Sequence, residues 1–315
     1  MSYAFVFPGQ GSQSVGMGKE LADNFPAAKA VFDQVDEALS QKLSAVMWDG
    51  PAEDLTLTAN AQPALMAVSM AVVEVLRSEF DVNITDAKFL AGHSLGEYSA
   101  LCAAGVVSLE DTAKLLRIRG NAMQSAVPVG KGAMAALLGA SLEDATAAVD
   151  FAKASGICQI ANDNAVGQIV LSGEKAAVEA AAGYARENGV KKAVILPVSA
   201  PFHCDLMQPA ADAMTSALAE VKFKAPAVPV VNNVTAQPIL DSDQLKADLV
   251  SQVTGRVRWR ESITWMVEEA GVTHMAELGH GKVLTVMLRR IVKGINGLAV
   301  GTPEQLEAFA AQIKE

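Results

Sequence analysis

Phe89-Leu90-Ala91-Gly92-His93-Ser94-Leu95-Gly96 is the stretch on which the reading of this chain turns. Its apolar start reads as a short buried strand, and residues 95 to 104 read as a helix. Between them Gly92, Ser94 and Gly96 form the pattern G-x-S-x-G. By itself the pattern is weak, because a Gly/Ser turn from strand to helix needs no chemistry. Placed between an apolar strand and a helix, it has the layout of a nucleophile elbow. Glycines two residues either side of the serine remove side chains that would clash in so sharp a turn. The serine Oγ is then held clear of the sheet. The N–H of Leu95 lies at a helix N-terminus, where it can donate to an oxyanion with the helix dipole helping.

Working outward, Tyr3-Ala4-Phe5-Val6-Phe7 reads as a buried strand stopped by Pro8-Gly9, and the polar loop Gly9-Gln10-Gly11-Ser12-Gln13 follows. Apolar residues at helical spacing predict helices over 61–79 and 109–126. Strands alternating with helices imply an α/β domain with a mainly parallel sheet. The pattern changes after Pro128-Val129-Gly130-Lys131-Gly132. A strand over 133–139 leads to Ser141, which with Asp144 has the form of a capping box. Strands over 157–161 and 168–172 are joined by the turn-rich Asn162-Asp163-Asn164-Ala165-Val166-Gly167. A helix over 175–188 and a strand over 192–196 complete the order β-α-β-β-α-β of a ferredoxin-like unit. Strands near 228–232, 273–278 and 297–300 then return to the first pattern. The expected architecture is a large α/β-hydrolase-like domain over 1–127 and 199–315, with a small inserted ferredoxin-like subdomain over 128–198.

Composition bounds the function. The 315 residues are 51% hydrophobic and 19% charged, which excludes a disordered chain. The formal charge of −10, with no block of basic residues, argues against a nucleic-acid partner. Three scattered cysteines, Cys102, Cys158 and Cys204, form neither a disulfide framework nor a metal motif, and they suit a reducing compartment. The N-terminus lacks the form of a signal peptide. The most apolar stretch, Pro63 to Val73, is about half the length that spans a bilayer. A cytoplasmic protein with no membrane partner is expected.

An elbow serine needs a base. Four histidines are available. His93 adjoins the serine and should point away from it, and His274 opens a predicted strand. His203, in Pro201-Phe202-His203 before a helix, and His280, in Gly279-His280-Gly281, both remain open as the base. No acidic third member is placed by a motif. In the helix over 109–126, Arg119 falls in the middle of the face made by Leu115, Leu116, Ile118, Ala122, Met123 and Ala126, whereas Arg117 falls on the opposite side, where solvent is expected. A buried guanidinium needs an anion. Either an internal Asp or Glu supplies it, or Arg119 binds a substrate carboxylate in a bidentate fork.

Taken together and in order, Pro8-Gly9-Gln10-Gly11-Ser12-Gln13 with Gly16-Met17-Gly18, Gly92-His93-Ser94-Leu95-Gly96-Glu97, Arg119-Gly120-Asn121-Ala122-Met123-Gln124 and Ser199-Ala200-Pro201-Phe202-His203 resemble the malonyl-CoA:acyl-carrier-protein transacylase family, in its stand-alone bacterial type. The resemblance runs from Phe5 to about Ile291. It implies that Ser94 is the nucleophile, His203 the base, and the amides of Gln10 and Leu95 the oxyanion hole. Arg119 would hold the malonyl carboxylate, and Gln252 would help to order the histidine. The imidazole would be oriented by a backbone carbonyl rather than an acid. Phe202, just before the histidine, goes with malonyl rather than methylmalonyl in related domains. His280 departs from the family, which more often has proline there.

The implied reaction is a ping-pong transfer from malonyl-CoA to the phosphopantetheine thiol of acyl carrier protein, supplying fatty-acid biosynthesis, with no cofactor and no metal. The implied enzyme is a monomer. Acyl carrier proteins of this kind are acidic, so a basic patch is expected among Arg256, Arg258, Arg260, Lys282, Arg289 and Arg290. The rival readings are a serine thioesterase or other hydrolase, a non-catalytic relative, and a malonyl transacylase of a polyketide or malonate decarboxylase system.

Overall fold

Strand β1 (Tyr3–Phe7) is buried at every residue, as a strand covered on both faces must be. Phe5 and Phe7 face one apolar cluster, and Ala4 and Val6 face another, which is the period of two that a strand imposes. The computed structural model describes residues 1–198 and 200–315. Ser199, expected as the return point into the large unit and as the first residue of the last motif, lies outside the described residues.

The other strands, in chain order, are β2 (Ala87–Gly92), β3 (Gly132–Leu138), β4 (Cys158–Ala165), β5 (Gln168–Glu174), β6 (Lys192–Ile195), β7 (Val230–Val231), β8 (Pro238–Ile239), β9 (His274–Leu278) and β10 (Asn296–Val300). They form a six-stranded sheet in the order β10-β9-β1-β2-β7-β8 and a four-stranded sheet in the order β4-β5-β3-β6. In the first, β10, β9, β1, β2 and β7 run parallel, and β8 closes one edge antiparallel. In the second every pair is antiparallel, with helices Leu142–Ala152 and Lys175–Glu187 as connections. The fold is mixed α/β, as expected. The Ser141–Asp144 capping box forms at the start of Leu142–Ala152.

Three expectations need correction. The turn-rich residues 162–165 belong to β4, with irregular register at Ile160/Asn162 and Asp163/Ala165. Their polar side chains are buried because other elements satisfy them. Asp163 takes a bidentate ion pair from Arg260, and Asn164 meets His93. The predicted helix over 61–79 is the longer Thr58–Phe80, at 23 residues the one helix among the described residues long and apolar enough to cross a membrane. Its most apolar window is 83% buried inside the fold, as a core helix would be. In Leu109–Ser125, Ile118 is 41% exposed, whereas Arg117 is half-buried and donates to Asn60 Oδ1 and Gln41 Oε1, both at 2.7 Å. Helices on both sides of this one leave only a narrow solvent-facing strip, which a two-sided wheel misplaces.

The two central strands set the position of the site. Phe7 and Gly92, the last residues of β1 and β2, are register partners, so the loops after both strands leave the sheet side by side. Ligands of open parallel sheets bind at this carboxyl edge.

Candidate active site

The loops after β1 and β2 pack so closely that glycine is required. A Cβ on Gly92 would lie 1.9 Å from the Gly96 carbonyl, and one on Gly96 would lie 2.3 Å from Phe7 O. That is the steric basis of the G-x-S-x-G spacing. Ser94, at the apex, has φ 55°, a left-handed conformation that costs a non-glycine residue about 1–3 kcal/mol. Asn233 holds it there. Its Oδ1 accepts from Ser94 N at 2.7 Å, and its Nδ2 donates to Gly92 O at 2.7 Å.

His203 reaches Ser94 from across the fold, with Nε2 2.7 Å from Oγ. Its Nδ1 lies 2.9 Å from the backbone carbonyl of Gln252. A carbonyl only accepts, so Nδ1 carries the proton and Nε2 presents its lone pair to the serine hydroxyl. Burial first, and then the positive charge of Arg119, push the imidazole pKa down from 6.5 to about 3. The ring is therefore neutral at ordinary pH and able to take a proton.

Arg119 is 1% exposed. Its Nη1 donates to Gln62 Oε1 at 2.8 Å, and its Nη2 donates to Gln252 Oε1 at 2.8 Å and to Ser94 Oγ at 3.2 Å. The Tyr98 ring lies 5.6 Å from the guanidinium carbon. Burial pulls the Arg119 pKa down from its usual value, yet a guanidinium does not give up its proton in a protein. Among the described residues every hydrogen-bond partner it has is uncharged. Of the two sources of an anion left open by the sequence, an internal ion pair is absent among the described residues. A buried cation beside the candidate nucleophile thus faces an open cavity with its charge uncompensated by contact.

The Gln252 side chain ties these groups together. Its Nε2 donates to Ser94 O at 3.0 Å and to Glu97 Oε2 at 2.8 Å. Glu97 is wholly buried and also accepts from Asn233 N at 3.0 Å. Burial raises its pKa from 4.5 to about 7. Gln10 and Leu95 sit at the two loop tips, and among the described residues no hydrogen bond takes either backbone amide. Leu95 immediately precedes the helix Gly96–Ala103.

The remaining histidines make other contacts. His280 has Nε2 2.7 Å from Ser14 Oγ, and His274 lies between Thr273 and Asn296. His93 turns from Ser94, and its Nε2 meets Asn164 Oδ1 at 2.7 Å while its ring packs on Trp259. Ser94, Arg119, His203, Gln10, Phe202 and His93 border a cavity of about 720 Å³ walled by Met134, Val170, Leu196, Val283 and Met287. Among the described residues no cluster of His, Cys, Asp or Glu is placed to hold a metal.

The structure brings Ser94, His203, Arg119 and Gln252 into one hydrogen-bonded group. Of the six basic residues considered as a patch, three are engaged in ion pairs. Arg256 and Arg258 pair with Glu261, and Arg260 pairs with Asp163. Sequence reasoning passed over Asn233, Gln62, Asn164 and any role for Glu97. Gln62 carried the same signal as Arg119, a polar residue on an apolar helical stripe. Asn233 follows a predicted parallel strand, where site residues collect.

A family model described as the acyl transferase domain matches residues 4–297. The malonyl CoA-acyl carrier protein transacylase of Bacillus subtilis (strain 168) is 46% identical over 313 residues, which cover 99% of this chain and 97% of that protein. The crystal structure of an acyl-carrier-protein-S-malonyltransferase from Bartonella henselae matches with a TM-score of 0.97 at 57% identity, covering 100% of both chains. A malonyl-transacylase solved in complex with its type II PKS acyl-carrier protein matches with a TM-score of 0.95 at 38% identity, over 99% of this chain and 100% of that one.

Proposed function

The chain belongs to the acyl transferase domain family, and from that premise we propose how its cavity carries out the transfer of a malonyl group from malonyl-CoA to the phosphopantetheine thiol of an acyl carrier protein. His203 Nε2 takes the proton of Ser94 as Oγ attacks the thioester carbonyl. The carbonyl oxygen becomes an oxyanion on the amides of Gln10 and Leu95. Loss of one such donor costs about 3 kcal/mol, or roughly a hundredfold in rate. When the tetrahedral intermediate collapses, CoA leaves as its thiol, protonated by His203, and a malonyl-serine ester remains. The carrier-protein thiol then attacks that ester, with His203 again taking and returning a proton.

One observation carries the choice of acyl group: the buried guanidinium of Arg119, 3.2 Å from Ser94 Oγ, with only uncharged partners. A carboxylate at the far end of a short acyl chain is the anion it lacks. Its charge does not develop during the reaction, so Arg119 acts on binding and on selection among acyl groups. Phe202 borders the same cavity and would crowd a branch at C2 of the acyl unit. Gln252 serves twice, with its backbone carbonyl on the imidazole and its side chain on the arginine.

For the carrier protein we propose a narrower basic surface than the sequence suggested. Lys282, Arg289 and Arg290 flank or lie on the helix Val283–Ile291, whose Val283, Leu284 and Met287 line the cavity. Arg290 contacts only the uncharged Gln168 at 3.4 Å among its described side-chain partners. We further read residues 128–198 as an inserted unit, the protein as a cytoplasmic monomer without a cofactor, and its pathway as fatty-acid synthesis.

Intact mass after incubation with malonyl-CoA tests the mechanism. The wild-type chain gains one malonyl group on Ser94 and loses it when a carrier thiol is added, whereas Ser94→Ala gains none. Steady release of free malonate without a thiol would instead mark a hydrolase.

A further inference from the structure

Glu97 touches neither the candidate nucleophile's hydroxyl nor the arginine, yet it holds the two residues that hold them. Its Oε2 accepts from the backbone N of Asn233 at 3.0 Å and from Gln252 Nε2 at 2.8 Å. Asn233 and Gln252 are each wholly buried, as is Glu97. The tip of a glutamine side chain has one oxygen and one nitrogen, and which way it points is set by what surrounds it. Here Glu97 Oε2 and Ser94 O stand on one side of Gln252, and both can accept. The amide must therefore offer its NH₂ to them, which leaves Oε1 to accept from Arg119 Nη2 at 2.8 Å. The reversed amide would set oxygen against oxygen on one side and NH₂ against a guanidinium on the other.

Resting on the roles given above to Ser94 and Arg119, we propose that Glu97 is a positioning residue for acyl-group selection. Its carboxyl oxygen fixes the orientation of the Gln252 amide, and through it the aim of Arg119 at the malonyl carboxylate. The same oxygen anchors the Asn233 backbone, whose side chain pins Gly92 and Ser94. What matters is the reach of that oxygen, because Arg119 makes its hydrogen bonds to Gln62, Gln252 and Ser94 and none to Glu97.

Two substitutions separate reach from charge. Glu97→Asp keeps the charge and withdraws the oxygen by one methylene. Glu97→Gln removes the charge and keeps an acceptor oxygen in place. The measurement is the ratio of kcat/KM for malonyl-CoA to that for acetyl-CoA, with the malonyl-serine yield by intact mass. Glu97→Asp should lower the ratio by roughly tenfold or more through misplacement of the arginine. Glu97→Gln should stay within about twofold of wild type. In a Gln252→Ala background Glu97→Asp should lower the ratio no further, because the residue it acts through is gone.

Equal ratios for wild type and Glu97→Asp would overturn the inference. So would a Glu97→Gln variant that falls as far as Glu97→Asp, or a full additional loss in the Gln252→Ala background. Failure of the wild-type chain to form a malonyl-serine would instead remove the reading of Ser94 on which the inference rests.

Discussion

Ser94, His203, Arg119 and Gln252 all hang from elements around the six-stranded sheet, whereas the four-stranded sheet gives the cavity Met134, Asn162, Asn164 and Val170. The two regions are built accordingly. The first carries strained backbone at Ser94 and His203, with φ 55° and 58°, and a buried polar network that holds it. The second is an antiparallel sheet over an alanine-rich core of Ala135, Ala145, Ala148, Ala177 and Ala181. Its one buried polar run, Asn162-Asp163-Asn164, is where it meets the first: Val257 pairs with β4 through Asp163 N and Ala161 O, and Arg260 clasps Asp163. Groups that change partners during a reaction need over-determined positions. A wall needs only shape and a fixed distance from the chemistry.

If this contrast holds, damage should follow it. Ser94→Ala should abolish the acyl-enzyme and lower transfer by about four orders of magnitude or more, measured by single-turnover transfer, with little change in Tm. Arg119→Ala should lower malonyl transfer by roughly a hundredfold, the cost of stripping one partner from a buried charge pair, while acetyl transfer is spared. Equal losses for the two acyl groups would sever Arg119 from selection and make it a structural residue of the first region. The four-stranded sheet should behave otherwise. Arg260→Ala leaves the Asp163 carboxylate, 1% exposed, without its cation. It should cost about 3 kcal/mol of stability, read from the denaturant midpoint, with a smaller loss in kcat than either substitution above. A loss of kcat to match Ser94→Ala would show that the wall takes part in the chemistry.

Legibility in the sequence divides along the same line. The candidate nucleophile could be found because an elbow needs glycines at fixed spacing, and spacing is local. Arg119 could be found because a charge on an apolar helical face is anomalous whatever the partner. His203 and His280 could not be fully separated from the residues alone, since what distinguishes them is a contact across the fold: Ser94 for one and Ser14 for the other. The residues alone leaned toward His203, which follows a predicted strand at the start of a helix, and the resemblance favoured it further. Asn162-Asp163-Asn164 reads as a turn because its polar residues look solvated, and the partners that bury them, Arg260 and His93, are distant in the chain. Glu97 was in plain view within its motif, but its role depends on Asn233 and Gln252, both more than a hundred residues away. Local sterics and anomalous burial are written in sequence order, and pairwise satisfaction of buried polar groups is not.

The smallest expected effects come from pH, and they separate two buried groups of opposite sign in the first region. His203 in the folded chain titrates at about 3, below its ordinary 6.5, because burial and Arg119 disfavour the imidazolium. Between those values the unfolded chain holds a proton that the folded chain refuses. Stability from this group is therefore present above 6.5 and lost as pH falls toward about 3. The acid limb of kcat/KM should accordingly lie far below 6.5, and Arg119→Ala, by removing the second cause of the depression, should move that limb upward.

Glu97 works the other way. Its folded pKa of about 7 stands above the ordinary 4.5, so between them the folded chain keeps a proton that the unfolded chain releases. Its contribution is present below 4.5 and lost as pH rises through about 7. Glutamine mimics the protonated acid, so wild type and Glu97→Gln should have similar stability at the acid end. The variant should gain on wild type as pH rises across this window, measured by urea midpoints at each pH. A gap that stays constant with pH would mean that the Glu97 carboxylate is charged throughout, with Arg119 compensating it through the Gln252 amide rather than burial governing it.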